Sequence, residues 1–337
     1  MRAAILGSGS WGTAFGRHLA DAWREVVLWG IEPDQIEAIR DTHANPGFFP
    51  GLELPHNMTA TLDLQAAVGD ADAVFLVLPS QAVRAVSQAL RDCHLRAETP
   101  VICLSKGLEL DTLKRLSTVM EEELLHDAAG NPHRIGVLLG PSHAEEVVLR
   151  QPTALVLSGR GDSWSDWQRH LSGPAVRVYT NRDLVGVEIA AAFKNVVAIA
   201  VGMADGLGYG DNTRGAVMTR GLKELARLGI ALGGHFETFY GLSGIGDMIT
   251  TCTSRHSRNR NYGEAVARAA EDPQSILEQA SQVVEGAVMT QAALKLSAKH
   301  SIELPITQEV HDVLFSAKSP SKAMRDLMER TLRSEHE

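Results

Sequence analysis

Along the chain, apolar residues come first in short unbroken runs and later in long helical stripes. Ala3–Leu6 is the first run, and behind it Thr13, Ala14, Phe15, Leu19 and Ala20 recur at helical spacing. Val26–Trp29 is a second run, followed by a polar helical segment over about 33–43 and the Pro- and Gly-rich loop ANPGFFPGLELP. Further runs lie at 73–78, 101–104 and 135–139, with helical segments near 81–91 and 112–126 between them. Runs at 153–158 and 175–179 extend the series. Unbroken rather than alternating apolarity marks strands buried on both faces, as in a parallel sheet covered by helices. From about 182 helical spacing takes over, at 184–204, 214–232, 261–271, 275–280, 288–300, 307–315 and 321–334, with no clear strand. The pattern predicts an α/β N-terminal domain over 1–180 and a mostly α-helical C-terminal domain over 181–337, with the final RSEHE fraying.

Between the first run and the first helix stands Gly7-Ser8-Gly9-Ser10-Trp11-Gly12, a G-x-G-x-x-G. Such glycines serve a tight turn, or they open the backbone so that a dinucleotide's pyrophosphate can lie against it. In a Rossmann-like unit the first glycine makes the turn, the second admits the pyrophosphate, and the third lets helix and strand pack closely. The helix N-terminus then faces the anion with free N–H groups and its dipole. The flanking strand and helix favour this second reading, as does Glu32 beyond the second run, about 20 positions past the last glycine. The expected fold is therefore an N-terminal Rossmann-like doubly wound sheet followed by a mostly helical domain. Two runs end in SKG at 105–107 and GPSHAEEV at 140–147. In such sheets ligands bind beyond the carboxyl ends of the strands, so both turns fall on the cofactor side.

Composition narrows the function. The 337 residues suit two domains, and 44% hydrophobic with 22% charged residues is ordinary for a soluble protein with a full core. No apolar run approaches the length needed to span a bilayer, and the first strand begins with no secretory signal before it. Cys93, Cys103 and Cys252 are too few and too far apart for a disulfide framework, which points to a reducing compartment and a cytoplasmic protein. A formal net charge of −9 repels nucleic acid and acidic membranes, so an anionic small molecule has to be captured by a local basic cluster. A homodimer is compatible with these features.

Two segments carry the candidate chemistry. LVGVEIAAAFKNVVAIAVGMADG, 184–206, is almost uniformly apolar and reads as a buried helix. Lys194 inside it either snorkels to solvent, pairs with a buried carboxylate, or serves as an acid/base at a cleft, since burial disfavours the charged form of a lysine. The second segment is GLSGIGDMITTCTSRHSRNRNYGEA, 241–265. Glycine turns surround Asp247, and Arg255, Arg258 and Arg260 precede a helix expected to begin near 261. Ser, Arg and Asn at a helix start make a phosphate grip, and the same residues would also serve as a solvated basic loop. Nucleic acid is disfavoured because no aromatic residues interleave the arginines. His143 with Glu146 fits no metal motif, and Cys252 reads as a small core residue rather than a nucleophile.

Taken in order, GSGSWGTA, SKGLE, GPSHAEEV, VEIAAAFKNVVAIAVGMADGLGYGDNTRGA, GLSGIGDMITTCTSRHSRNRNYG and VVEG resemble the NAD(P)-dependent glycerol-3-phosphate dehydrogenases of the bacterial soluble type, over nearly the whole chain. The resemblance implies reversible reduction of dihydroxyacetone phosphate to sn-glycerol 3-phosphate for phospholipid synthesis, with NAD or NADP as cofactor. It implies cofactor contacts at Ser10 and Trp11 beside Gly7, Gly9 and Gly12, and later at Ala144, Val283 and Glu285. Lys106 would lie near both cofactor and substrate, Gly140 and Ser142 would touch substrate, and Lys194 would be the proton donor in reduction. Asn195, Asp247 and Thr251 would be its polar neighbours. Ser257, Arg258 and Asn259 would hold the phosphate, with Arg258 also reaching the cofactor. Many relatives carry His or Arg directly after the glycine of LWG, where it meets a 2′-phosphate. This chain has Ile31 and then Glu32, which favours NAD. The competing readings are a hydroxyacid or nucleotide-sugar dehydrogenase on the same plan, and a nucleotide sensor without turnover.

Overall fold

β1 (Arg2–Leu6), β2 (Glu25–Trp29), β3 (Met58–Thr61), β4 (Ala73–Leu76), β5 (Val101–Cys103), β6 (Ile135–Leu139), β7 (Thr153–Gly159) and β8 (Val176–Asn181) form one sheet in the order β3-β2-β1-β4-β5-β6-β7-β8. These strands belong to a computed structural model of the chain, which describes residues 1–93, 95–96, 98–124, 134–161, 164–269, 273–279, 284–332 and 334–335. The chain divides into two compact units, Met1–Glu188 and Ile189–Glu337. The sheet is the centre of the first.

From β3 through β6 every neighbouring pair is parallel, with Ile5 of β1 beside Leu28 on one side and Phe75 on the other. Parallel strands need covering connections, which here are α1 (Ser10–Leu19), α2 (Pro33–Thr42), α3 (Leu64–Val68), α4 (Val83–Arg91) and α5 (Leu116–Glu123). Phe15 of α1 packs edge-on against Phe75, and Trp23 meets the same ring, so the helix after the glycine turn is seated on the sheet by aromatic contacts. The doubly wound plan read from the sequence is present.

One pairing departs from it. β7 runs antiparallel to β6, and β8 is parallel to β7. The connection from β6 to β7 contains only the single-turn α6 (Ala144–Val147), too short a helix to carry the chain back along the sheet, so the strand returns in the opposite direction. Among the elements that lacked a usable sequence signal are three that cover the sheet or form its edge. β3 is four residues at the sheet edge, α3 is five residues long, and α7 (Trp164–Leu171) is a polar segment whose buried Trp164, Trp167 and Leu171 share one face.

The second unit contains the rest of α8 (Leu184–Gly206), then α9 (Asp211–Ala231), α10 (Phe236–Phe239), a π-helical turn over Leu242–Gly246, α11 (Asp247–Thr253) and α12 (Arg258–Arg268). α13 (Pro273–Gln279), α14 (Glu285–His300), α15 (Pro305–Phe315) and α16 (Pro320–Met328) complete it, and no strand occurs in it among the described residues. The expectation that no apolar stretch approaches membrane-spanning length is corrected by α8. Its 23 residues include an 18-residue stretch of mean hydropathy 1.9, long and apolar enough, but 94% of that stretch is buried within the fold, as suits a core helix. Against it packs α12. A Cβ at Gly202 would stand 2.0 Å from the Arg260 carbonyl oxygen, and one at Gly263 would stand 2.1 Å from that of Ile199, so the two backbones touch.

Glu224 of α9 is buried and accepts from the Ile306 and Thr307 main-chain N–H groups at 2.6 and 3.1 Å, capping the first turn of α15 from another helix. Burial outweighs these bonds and pushes its carboxyl up from 4.5 to about 7. The folded state therefore binds this proton more tightly than the unfolded chain does. The unfolding free energy is expected to fall as pH rises from about 4.5 to 7, by at most about 3 kcal/mol from this group. Urea unfolding of wild type and Glu224→Gln across that range checks it, the wild type losing more stability with rising pH. Parallel pH profiles would place Glu224 in the ordinary carboxylate range.

Candidate active site

In the first unit the candidate residues line one edge of the sheet. Gly7 follows β1 with φ of +127°, a conformation that side chains rarely adopt, and its N–H donates to the Trp29 carbonyl of β2 at 2.8 Å. A Cβ at Gly12 would stand 1.9 Å from the Gly7 carbonyl oxygen, so α1 presses directly on the turn. Gly9 differs: the nearest atom to a Cβ there would be the Phe48 ring, 3.9 Å away. Two of the glycines are thus packed against backbone, while the middle one meets only the edge of the Phe48 ring and leaves its backbone approachable, which is the arrangement a pyrophosphate requires. Gly9 caps α1 without a side-chain bond, Ser10 and Trp11 open the helix, and no acidic residue stands in its first turn. These residues fit a dinucleotide. Glu32, exposed, caps α2 just past the end of β2.

Two strands further along, the loops after β5 and β6 meet. Lys106 Nζ donates to the Gly140 carbonyl at 3.0 Å, and Ser142 Oγ donates to the same oxygen at 3.0 Å. Gly140 has φ of +141°, and Ala144 opens α6 two residues beyond Ser142.

In the second unit Lys194 of α8 donates to the Asp247 carboxylate and to Thr251 Oγ1, with all three residues buried. The Thr251 hydroxyl in turn donates to the Asp247 carbonyl at 2.7 Å, which leaves its oxygen lone pairs for the ammonium. Of the three explanations open to Lys194, snorkelling to solvent is excluded by its 4% exposure. The next residue, Asn195, donates to Glu285 at the start of α14 at 3.2 Å. Asn259 Oδ1 accepts from the Gly286 N–H at 2.8 Å, and a Cβ at Gly286 would stand 2.7 Å from both Asn259 Oδ1 and the Asn195 carbonyl oxygen. The starts of α12 and α14 therefore close around the turn of α8 that carries Lys194.

The helix expected near 261 begins three residues earlier. Ser257 is its N-cap, accepting from the Arg260 N–H at 3.3 Å, which puts Arg258 at the first helical position. Two of the three arginines then separate by role. Arg260 is tied to Asp205 of α8 at 2.7 Å and to Glu264 at 3.2 Å, whereas Arg258 is exposed and forms no ion pair with the described residues. An uncommitted guanidinium beside the free N–H groups of a helix start is suited to bind a phosphate dianion. Val283 lies outside the described residues.

The chain matches the family models described as NAD-dependent glycerol-3-phosphate dehydrogenase N-terminus over residues 2–164 and C-terminus over 183–325. A protein of Moorella thermoacetica named glycerol-3-phosphate dehydrogenase (NAD(P)+) is 46% identical over 328 residues, 97% of this chain and 95% of that one. A similarly named Salinibacter ruber protein is 43% identical, covering 98% and 95%. The crystal structure of glycerol-3-phosphate dehydrogenase from Coxiella burnetii superposes with a TM-score of 0.90 at 36% identity, covering 98% of this chain and 99% of that one.

The chain belongs to the NAD-dependent glycerol-3-phosphate dehydrogenase family.

Within this glycerol-3-phosphate dehydrogenase family member the cysteines have a plain reading. Cys93, Cys103 and Cys252 are all buried, and burial pushes the Cys103 and Cys252 thiols up to about 12. No thiolate nucleophile is available, which disfavours an oxidation to the acid through a covalent thiol adduct. Sequence reasoning missed Gln35 and Asn45, whose side chains reach the Ser8 carbonyl in the glycine turn. Their only signal was an Asn in a Pro/Gly loop, where polar residues are ordinary.

The buried ion pair also alters what Lys194→Met does. From the sequence alone the methionine conserves apolar bulk and folding survives. In the structure it leaves Asp247 buried without its lysine, and such a loss costs about 3–5 kcal/mol. Urea unfolding is expected to show that loss for Lys194→Met and recovery of most of it in Lys194→Met/Asp247→Leu. A single variant as stable as wild type would mean that the pair contributes nothing to the fold.

Proposed function

We infer that this chain is a glycerol-3-phosphate dehydrogenase, an oxidoreductase that reversibly reduces dihydroxyacetone phosphate to sn-glycerol 3-phosphate with NADH or NADPH. Supporting this reading is the pairing, within one helical unit, of a buried lysine held by Asp247 and Thr251 with an uncommitted Arg258 at the start of α12. A carbonyl becoming an alkoxide needs a proton and a nearby positive charge, and the Lys194 ammonium supplies both. When bound, the reduced nicotinamide supplies the hydride that the C2 carbonyl carbon accepts.

The remaining roles follow from chemistry. Asp247 and Thr251 orient the ammonium. Asn195, tied to Glu285, fixes the turn beside it. Ser257, Arg258 and Asn259 hold the substrate phosphate through charge-assisted hydrogen bonds and the helix dipole. Gly7, Gly9, Ser10, Trp11 and Gly12 hold the cofactor pyrophosphate, with Ala144, Val283, Glu285 and Arg258 as further cofactor contacts. Lys106, Gly140 and Ser142 bind substrate, Lys106 also reaching the cofactor. We assign 1–180 to cofactor binding and 181–337 to substrate binding and catalysis, and place the protein in the cytoplasm as a homodimer supplying glycerophospholipid synthesis.

NADH oxidation followed by absorbance tests the assignment. Dihydroxyacetone phosphate is expected to be reduced and unphosphorylated dihydroxyacetone to be used very poorly; comparable kcat/KM for the two ketones overturns the phosphate grip. Arg258→Lys keeps the charge but loses the planar fork, so KM for dihydroxyacetone phosphate should rise about tenfold, more than kcat falls. In Lys194→Met protein that still unfolds cooperatively, kcat should drop by roughly 100-fold or more.

Cofactor choice gives a second test. Glu32 accepts a ribose 2′-OH and repels a 2′-phosphate, Ile31 is exposed and offers no charge, and Arg40 in the last turn of α2 is paired with Asp41 at 2.7 Å. NADH should serve at least as well as NADPH. Ile31→Arg/Glu32→Ser should raise kcat/KM for NADPH by about tenfold; strong NADPH preference in the wild type would overturn the role given to Glu32.

A further inference from the structure

Three side-chain donors converge on one main-chain oxygen in the glycine turn. The Ser8 carbonyl accepts from Asn45 Nδ2 at 2.9 Å, Gln35 Nε2 at 2.6 Å and Thr13 Oγ1 at 3.1 Å. The donors are joined to one another. Asn45 Nδ2 also donates to Thr13 Oγ1 at 2.8 Å, Gln35 Nε2 to Asn45 Oδ1 at 3.2 Å, and Ser8 Oγ to Gln35 Oε1 at 3.0 Å. Asn45 is 1% exposed and Thr13 wholly buried, so the network is internal.

A carbonyl oxygen has two lone pairs, and three donors exceed what satisfying it requires. Together they fix its direction. A trans peptide is planar, and its C=O and the following N–H point opposite ways. Turning the Ser8 oxygen inward therefore turns the Gly9 N–H outward, and no main-chain carbonyl of the described residues accepts from it. That N–H belongs to the one glycine of the turn that is not pressed against backbone. Asn45 acts on the same place through its own backbone as well. Its carbonyl accepts from the Phe48 and Phe49 N–H groups at 3.1 and 2.8 Å, which sets the loop that brings the Phe48 ring beside Gly9.

We propose that Asn45, seconded by Gln35, is a positioning residue for the cofactor pyrophosphate: it holds the Ser8–Gly9 peptide so that the Gly9 N–H is aimed at the anion before anything binds. The proposal rests on reading the turn as a dinucleotide site. Its effect is preorganisation, because a peptide already locked in the bound orientation loses no freedom on binding. Neither residue touches the cofactor in this account; both act through Ser8.

Calorimetric titration of the full chain with NADH and with ADP-ribose tests it, alongside thermal unfolding and steady-state kinetics. Asn45→Asp keeps size and shape but cannot donate to the Ser8 oxygen, and Gln35→Met removes the other amide from a half-buried position where folding is safer. For Asn45→Asp the Kd of NADH and of ADP-ribose should rise by the same factor, about tenfold, as expected for one lost fixing hydrogen bond. Gln35→Met should move both Kd values in the same direction, and in both variants KM for NADH should rise more than kcat falls. Variants whose melting temperature drops while both Kd values stay at wild type would reduce the network to a structural one and overturn the proposal. If wild type itself binds neither ligand, the cofactor reading fails first and the proposal falls with it.

Discussion

Parallel pairing is the constraint on which the first unit depends. Six strands from β3 to β6 share one direction, so the loops leaving β1, β2, β5 and β6 all emerge at the same edge. The glycine turn, Glu32, Lys106 and Gly140 are far apart in sequence, and they form a row for that reason alone. The order in which strands are added reverses between β1 and β4, beside the glycine turn, and such switch points are where sheets of this kind bind ligands. The antiparallel return of β7 ends the row, because loops beyond it leave from the other edge.

Helix α8 meets a different difficulty, charges within an almost uniformly apolar stretch. α8 settles each of them locally. Glu188 accepts from Arg115 at 2.6 Å and from the Ser117 N–H and hydroxyl, while Asp205 holds Arg214 and Arg260. Both carboxylates meet arginines that keep partial contact with solvent. Lys194 is the exception, since its partners Asp247 and Thr251 are as buried as it is. Desolvating an ion pair on both sides is costly, and a fold that needed only packing would do as well with apolar residues there. The proton-donor role proposed for Lys194 would account for a pair that packing alone does not require.

Legibility of the sequence followed the range of the interaction involved. Strands such as Ala73–Leu76 and helices such as α8 show in composition because burial on all sides selects apolar residues locally. The glycine turn was readable because backbone geometry demands glycine whatever lies elsewhere. β3 escaped because four residues at an edge carry too little pattern, and α7 because its apolar face is three residues in a polar segment. The reversal of β7 depends on the length of a connection rather than on residue type. Site residues divided the same way. Arg258 and Arg260 are chemically alike, and what sorts them is Asp205, more than fifty positions earlier and visible only after folding. Glu224 and Asn45 look like surface residues in sequence and are buried because distant backbone groups need them.

The π-helical turn over Leu242–Gly246 runs without a break into α11, whose first residue is Asp247. Its winding, closed by the Gly246 N–H donating to the Gly241 carbonyl five residues back at 3.2 Å, takes up one residue more than an α-helical turn would. Removing one residue there would tighten the turn and rotate α11 by about 100° around its axis. The carboxylate would then face away from Lys194 although every side chain of the pair was intact. The meeting of these two charges is therefore written partly in the arithmetic of the backbone. A loop of altered length could abolish it as surely as a substitution, and its history in any lineage would be recorded as insertions and deletions.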